Sequence, residues 1–231
     1  MQLVISHKNM PPHNTEPFIY SPPCAPLEWL HIDPDFVIIN KPAGLLSQPG
    51  RDPNHYDSAW SRVRQQYPTA ELVHRLDMDT SGILLFSLNK NSERSLKIQF
   101  QQRQTKKRYL AEVSGVLAAK QGEVDLPLIC DWPKRPLQKV CFQDGKPSQT
   151  LYRVLEQDDT RARVALYPVT GRSHQLRVHM LALGHPIIGD RFYAPTDIQL
   201  ASPRLLLHAE FLQFFHPKQH HEISCTAPCE F

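Results

Sequence analysis

Glycine is scarce in this chain, with 9 among 231 residues against a usual share of ~7%. That scarcity excludes collagen-like repeats, and no Gly-rich nucleotide loop is present. No uninterrupted apolar run exceeds about five residues, far short of the ~18 that a membrane span needs. The first residues hold no apolar segment of the kind that directs secretion. Five cysteines, Cys24, Cys130, Cys141, Cys225 and Cys229, form an odd set without a paired framework. A disulfide scaffold is thereby excluded, and reduced thiols in a cytoplasmic protein are expected. The close pair Cys225-x3-Cys229 has His220 and His221 nearby, but no second C-x2-C or H-x3-H element completes a zinc site, so no metal is expected. Neither sign of charge dominates. The 26 Lys and Arg against 23 Asp and Glu leave a formal charge of +3, which permits a polyanionic partner without demanding one.

Proline is plentiful at 21 residues, roughly 9% where ~5% is ordinary. This predicts irregular connections with fixed φ in place of long helices. Residues 1–26, rich in Pro, His and Asn and without periodicity, are expected to form an extended arm, and residues 27–231 one catalytic-sized domain. Trp29–Ile32 and Phe36–Asn40 flank the turn Asp33-Pro34-Asp35 and predict a hairpin. A helix capped by Asp57 is expected over Asp57–Gln66, a buried strand over Ile83–Leu88 and a second helix over Asn91–Gln104. Further strands are expected at Lys107–Val116, Gln149–Glu156, Arg161–Pro168 and Leu205–Phe214. Ser173–Leu183 has the clearest helical pattern. Leu176, Met180 and Leu183 line one side, Arg172, Gln175 and His179 another, and Gly184 stands just past the end. Strand runs and separate helices without βαβ alternation predict an α+β fold.

Basic residues gather twice. Arg94, Lys97, Arg103, Lys106, Lys107 and Arg108 fall on or just after the second helix, and Lys134, Arg135, Lys139 and Lys146 bracket Trp132 and Phe142. A solvated face and a phosphate-binding surface both fit such clusters. Chemistry-bearing residues concentrate in HRLDMDTSG (His74–Gly82), in Lys107-Arg108-Tyr109, and in TGRSHQLRVH (Thr170–His179) followed by GHPIIGDRFY (Gly184–Tyr193). Ser173 and His174 are adjacent and so point about 100° apart on a helix, which forms no serine triad. Asp77-x-Asp79 has the spacing of an aspartyl-phosphate loop, but Val73-His74-Arg75-Leu76 before it is not the wholly apolar strand such a loop follows. A retaining glycosidase needs two carboxylates on opposite sides of a sugar, which one short loop does not offer.

HRLDMDTSG resembles the catalytic motif of the RluA-type pseudouridine synthases, H-R-L-D-x-x-T-S-G. NKPAGLL (Asn40–Leu46), Lys107-x-Tyr109, GRSHQLRVHM with GHPIIGDRFY, and LLLHAE (Leu205–Glu210) resemble the family's other elements, in the family's order. The resemblance implies a mixed, largely antiparallel sheet with flanking helices and a central catalytic cleft, without an amino-terminal S4 domain. It implies base flipping and an essential aspartate, Asp77, kept ionised by Arg177, with Tyr109 against the uracil. Asp77 has three possible roles: attack at C1′, abstraction of the 2′ proton, or addition to the base. Arg75 matches the residue that fills the space left by the flipped base. Lys41, Pro42, Thr80, Ser81 and Gly82 are expected to support the site, and His74 and His179 to be structural. Lys106, Lys107, Trp132, Lys134 and Arg135 are expected to contact RNA. Val124–Phe142 resembles a short branch of the family whose substrates are uridines in the tRNA anticodon stem-loop and in a hairpin of large-subunit rRNA. No cofactor, metal or membrane is implied, and a monomer is expected. The alternative class is an RNA-binding protein that kept the fold and lost catalysis; intact Asp77, Tyr109 and Arg177 favour the enzyme.

Overall fold

The computed structural model describes residues 19–231, which divide into two compact units, Leu110–Leu206 and Ile19–Tyr109 together with Leu207–Phe231. Residues 1–18 of the expected arm lie outside the described residues. Residues 19–26 are tied to the second of these units. The Tyr20 hydroxyl donates to the Asp57 carbonyl, and Arg62 donates to the carbonyls of Pro23 and Ala25.

That unit opens with the expected hairpin, β1 (Glu28–Ile32) and β2 (Phe36–Lys41), closed where the Asp33 carboxylate accepts the Asp35 N–H. Helix α1 (Ala59–Gln66) follows. Its cap is Ser58 and not Asp57: the Ser58 hydroxyl accepts the Ser61 N–H while the Ser61 hydroxyl accepts the Ser58 N–H. Asp57 instead holds Arg62 through two 2.7 Å contacts, which lowers its carboxyl pKa. Next come β3 (Glu71–Leu72), β4 (Ser81–Ser87), α2 (Lys90–Gln101) and the start of β5 (Lys106–Ser114). Helix α2 is capped by Asn89, so it begins and ends earlier than the expected Asn91–Gln104.

Strand alternation sorts the core onto two faces. Val37, Ile39, Leu84 and Phe86 pack with Ala59 and Val63 of α1, while Phe36, Ile38, Ile83 and Leu85 pack with Leu96 of α2. A sheet covered on both faces explains why β4 is buried throughout, like a parallel strand.

The other unit contains β6 (Gln121–Asp125), β7 (Leu128–Cys130), β8 (Gln138–Val140), β9 (Gln149–Gln157), β10 (Arg161–Pro168), α3 (Gln175–Ala182) and α4 (Thr196–Leu200). β9 pairs antiparallel with β10 and with β6, and β7 and β8 form a separate two-stranded ribbon. Helix α3 departs from the amphipathic expectation. Gln175, Arg177 and His179 are as buried as Leu176, Val178 and Met180, so the helix has a polar interior side in place of a wet one.

The chain then returns to the unit of β1–β4 as β11 (Leu207–Phe215) and β12 (Glu222–Thr226). β11 runs parallel to β4, with His208 opposite Ser81 and Ala209 opposite Gly82, and antiparallel to β12. Its parallel pairing with β4, beside antiparallel β1, β2 and β12, makes the sheet mixed and the fold α+β. Leu205 and Leu206 precede the strand that was expected to begin with them.

Candidate active site

Asp77 lies in the loop between β3 and β4, and the residues on both sides of it are pinned. Before it, the Ser47 hydroxyl donates to the Leu76 carbonyl at 2.7 Å and accepts the Leu76 N–H at 3.1 Å. After it, the Met78 carbonyl accepts the Lys41 ammonium at 3.0 Å and the Gly44 N–H at 2.9 Å. Lys41 is fully buried at the end of β2 and also donates to the carbonyls of Pro42 and Leu45, both at 2.8 Å. One cation thus ties the 42–46 turn to the Asp77 loop. Thr80 N–H closes the loop on the Asp77 carbonyl, and Thr80 and Ser81 are buried.

The base of the loop is fixed against β11. The Ser81 hydroxyl lies 2.8 Å from His208 Nδ1. Gly82 has φ +110°, and a Cβ there would meet the Ala209 carbonyl oxygen at 2.3 Å. Both the conformation and the close parallel approach require glycine.

Tyr109 packs on the core cluster that contains Leu76 and Ala209. Burial raises its pKa well above the ordinary tyrosine value, and the negative charge of Asp77 adds to the rise. The ring is therefore a neutral phenol at physiological pH, close enough to Asp77 to feel its charge. Next to it Arg108 makes a bidentate pair with Glu210, at 2.6 and 2.8 Å, which holds the start of β5 beside β11. Arg75, just before the pinned segment, is exposed.

Arg177 projects from α3 in the other unit and is almost wholly buried. Its guanidinium is bidentate to Asp190, with Nε donating to Oδ2 at 2.8 Å and Nη2 to Oδ1 at 2.6 Å. Phe192 and Tyr193 lie 5.1 and 5.2 Å from its charge centre. Asp190 also accepts the N–H groups of Phe192 and Tyr193, so one carboxylate shapes the turn and fixes the fork of the arginine. The polar side of α3 is bonded throughout. Gln175 donates to the Thr150 hydroxyl, which lies 2.9 Å from His179 Nδ1, and His179 Nε2 lies 3.1 Å from the Leu126 carbonyl. A carbonyl only accepts, so Nε2 carries the proton and Nδ1 accepts from Thr150. Burial lowers the pKa of His179, and it stays neutral.

His74 stacks on Phe100 with centroids 4.7 Å apart, and burial, aided by the charge of Lys107, pushes its pKa down to about 3. Lys106 is exposed; Lys107 is half-buried, and burial lowers its own pKa. Trp132, Lys134 and Arg135 are all exposed on the β7–β8 ribbon, with Arg135 4.7 Å over the Trp132 ring. Ser47 was not singled out from sequence, and Tyr193 and Glu210 stood only at the ends of quoted motifs, with no role given to them. Each acts through a partner distant in the chain, which no local signal reveals.

Among the described residues the grouping with metal-ligand spacing is Asp33, Asp35 and His216, not the carboxyl-terminal cysteines. Its chemistry does not suit a metal. His216 Nδ1 accepts the N–H groups of Lys218 and Gln219, which leaves the ring proton on Nε2, 3.4 Å from Asp33. Lys218 already neutralises Asp35 at 2.6 Å.

Residues 35–182 match the RNA pseudouridylate synthase family. The chain is 57% identical to the dual-specificity RNA pseudouridine synthase RluA of Pasteurella multocida over 214 residues, covering 92% of this chain and 98% of the other. It is 55% identical to the protein of the same name from Escherichia coli strain K12, with the same coverage. The solved structure of human RNA pseudouridylate synthase domain containing 1 superimposes with a TM-score of 0.73 at 30% identity, covering 87% of this chain and 83% of that one. The chain belongs to the RNA pseudouridylate synthase family, whose members act on RNA. No helix among the described residues is long and apolar enough to cross a membrane.

Proposed function

We propose that the protein isomerises specific uridines to pseudouridine in stem-loops of two RNA classes, the tRNA anticodon arm and large-subunit rRNA, as a cytoplasmic monomer with Asp77 as the essential carboxylate. The N1–C1′ bond breaks, C5 bonds to C1′, a proton leaves C5 and N1 takes one up. No water, electron or cofactor is consumed.

The observation that carries this reading is the double pinning of the Asp77 loop beside a neutral, partly buried Tyr109. A carboxylate that must meet one sugar–base unit needs a fixed position, because small misplacements cost large factors in rate. The neutral ring of Tyr109 suits stacking on uracil. As a phenol it takes the C5 proton only by passing on its own. Arg177 is assigned to the catalytic machinery on the strength of the family motif, and the Asp190 fork fixes its orientation. Exposed Arg75 is assigned to the space that the flipped base vacates. The exposed cations Lys106, Lys134 and Arg135 and the Trp132 ring supply phosphate and stacking contacts, with Lys107 a half-buried neighbour. Free thiols at all five cysteines support the cytoplasmic assignment. The dual-specificity names of the relatives and the Val124–Phe142 segment support two RNA classes.

The test is tritium release from tRNA and rRNA transcripts labelled at C5 of uridine, because C5 becomes the glycosidic atom. Release by wild type and none by Asp77→Ala is expected. Wild type that binds RNA yet releases no tritium from either class overturns the reading.

A further inference from the structure

The β7–β8 ribbon exposes two large aromatic rings at opposite ends, Trp132 at 64% and Phe142 at 76%. Rings this exposed contribute nothing to a core and normally mark a contact surface. Both are held on fixed turns. Around Trp132, Lys134 N–H bonds to the Asp131 carbonyl, Asp131 N–H bonds to the Leu137 carbonyl, and the Asp131 carboxylate accepts the Lys139 ammonium at 2.9 Å across the ribbon. Phe142 stands in the turn from Cys141 to Gly145, closed by Gly145 N–H to the Cys141 carbonyl at 3.0 Å and docked by Cys141 N–H to the Pro127 carbonyl. Gly145 is required there, since a Cβ would meet the Cys141 oxygen at 2.1 Å. The turn is thus built tightly while its largest side chain points into solvent.

The ribbon is also fastened to the framework of Arg177. Leu128 and Leu137 are buried against Val178 of α3 and against Tyr193, and Gln138 N–H donates to the Tyr193 hydroxyl at 2.9 Å. The charge around the rings is unequal: Lys134, Arg135, Lys139 and Lys146 outnumber Asp131 and Asp144, and Asp131 is already neutralised by Lys139. Aromatic faces interleaved with cations are the chemistry that holds unpaired nucleotides, by stacking on any base and by phosphate contact.

We infer that Phe142 is a second base-stacking platform, paired with Trp132 at the far end of the ribbon, and that the ribbon grips an unpaired stretch of the substrate RNA. From Phe142 to Trp132 the ribbon spans several residues at ~3.3 Å each, so the two rings take different nucleotides. This deepens the proposed function and rests on it for the nature of the RNA.

The experiment measures binding of a tRNA anticodon stem-loop, and of the same RNA with single abasic nucleotides in the loop, to wild type, Phe142→Ala and Phe142→Trp. The expected result is about 5- to 150-fold weaker binding by Phe142→Ala, the span of one base–aromatic stack, with recovery in Phe142→Trp. One abasic position should weaken wild type and leave Phe142→Ala unaffected. Unchanged affinity in Phe142→Ala, or equal abasic penalties in both proteins at every position, overturns the inference and leaves a protein partner as the occupant of this ring. Tritium release by wild type, measured in parallel, reports separately on the pseudouridine reading.

Discussion

Lys41 reaches across 37 positions of sequence to the carbonyl of Met78, the residue that follows Asp77. A buried ammonium donating to three backbone carbonyls makes the position of Asp77 a property of the sheet and not of the loop. Lys41→Met removes all three bonds while keeping the bulk. It is expected to destabilise by at least ~2 kcal/mol, since buried acceptors lose their donor. It should also lower kcat by about 100-fold, with RNA affinity nearly unchanged. Single-turnover rates beside equilibrium binding check this; a loss confined to binding would place Lys41 at the RNA surface instead.

Much of this site was legible in the sequence, and the reason is local. Asp77, Thr80, Ser81 and Gly82 form one contiguous motif, whereas the reason glycine is needed at 82, its φ and the approach of Ala209, is visible only in the fold. The paired hairpin β1–β2 and the strands β9 and β10 were equally plain, because alternation and turn residues lie side by side. The partners that hold the site were less visible. Ser47 lies 29 positions from Leu76, and Glu210 lies 102 from Arg108, separations that no window of periodicity spans. Helix α3 was half legible. His179 was expected to be structural and is held by Thr150 on β9 and the carbonyl of Leu126, but the helical pattern alone did not place Gln175 and Arg177 inside the protein with it.

Gly82→Ala tests the close approach of β4 and β11. Its Cβ would meet backbone and not a flexible side chain, at a φ that L-residues rarely adopt. The cost of an incompatible glycine position exceeds the ~1 kcal/mol that alanine gains by stiffening the unfolded chain. The variant is expected to unfold at a clearly lower denaturant midpoint than wild type. A midpoint equal to wild type would mean that the two strands separate at no cost.

Asp190→Ala tests whether the Arg177 fork is structural as well as functional. The carboxylate satisfies Arg177 and two backbone N–H groups within a buried turn. Breaking a buried pair from one side typically costs ~3–5 kcal/mol, because the remaining charge loses its compensation. Urea unfolding should show a loss of that order. Replacement of both partners, Arg177→Met with Asp190→Ala, is expected to recover part of the stability while activity stays abolished.

His74 should give the folded state an acid-sensitive component. Its folded pKa is pushed down to about 3 from the ordinary 6.5 by burial and by Lys107, so the native ring stays neutral while the unfolded ring takes up a proton. Stability from this group is therefore fully present above pH 6.5 and lost as pH falls towards 3, with a limiting slope of about 1.4 kcal/mol per pH unit. His74→Gln removes the titrating ring and retains a polar side chain near the Leu85 N–H, to which His74 Nε2 is the acceptor at 3.3 Å. The variant is expected to be somewhat less stable at neutral pH, from lost stacking on Phe100, yet to lose less stability between pH 6.5 and 4 than wild type does. Denaturant midpoints across that range decide the matter. Parallel pH profiles for the two proteins would show that the wild-type ring is protonated in the folded state, and that Phe100 and Lys107 leave it accessible to solvent.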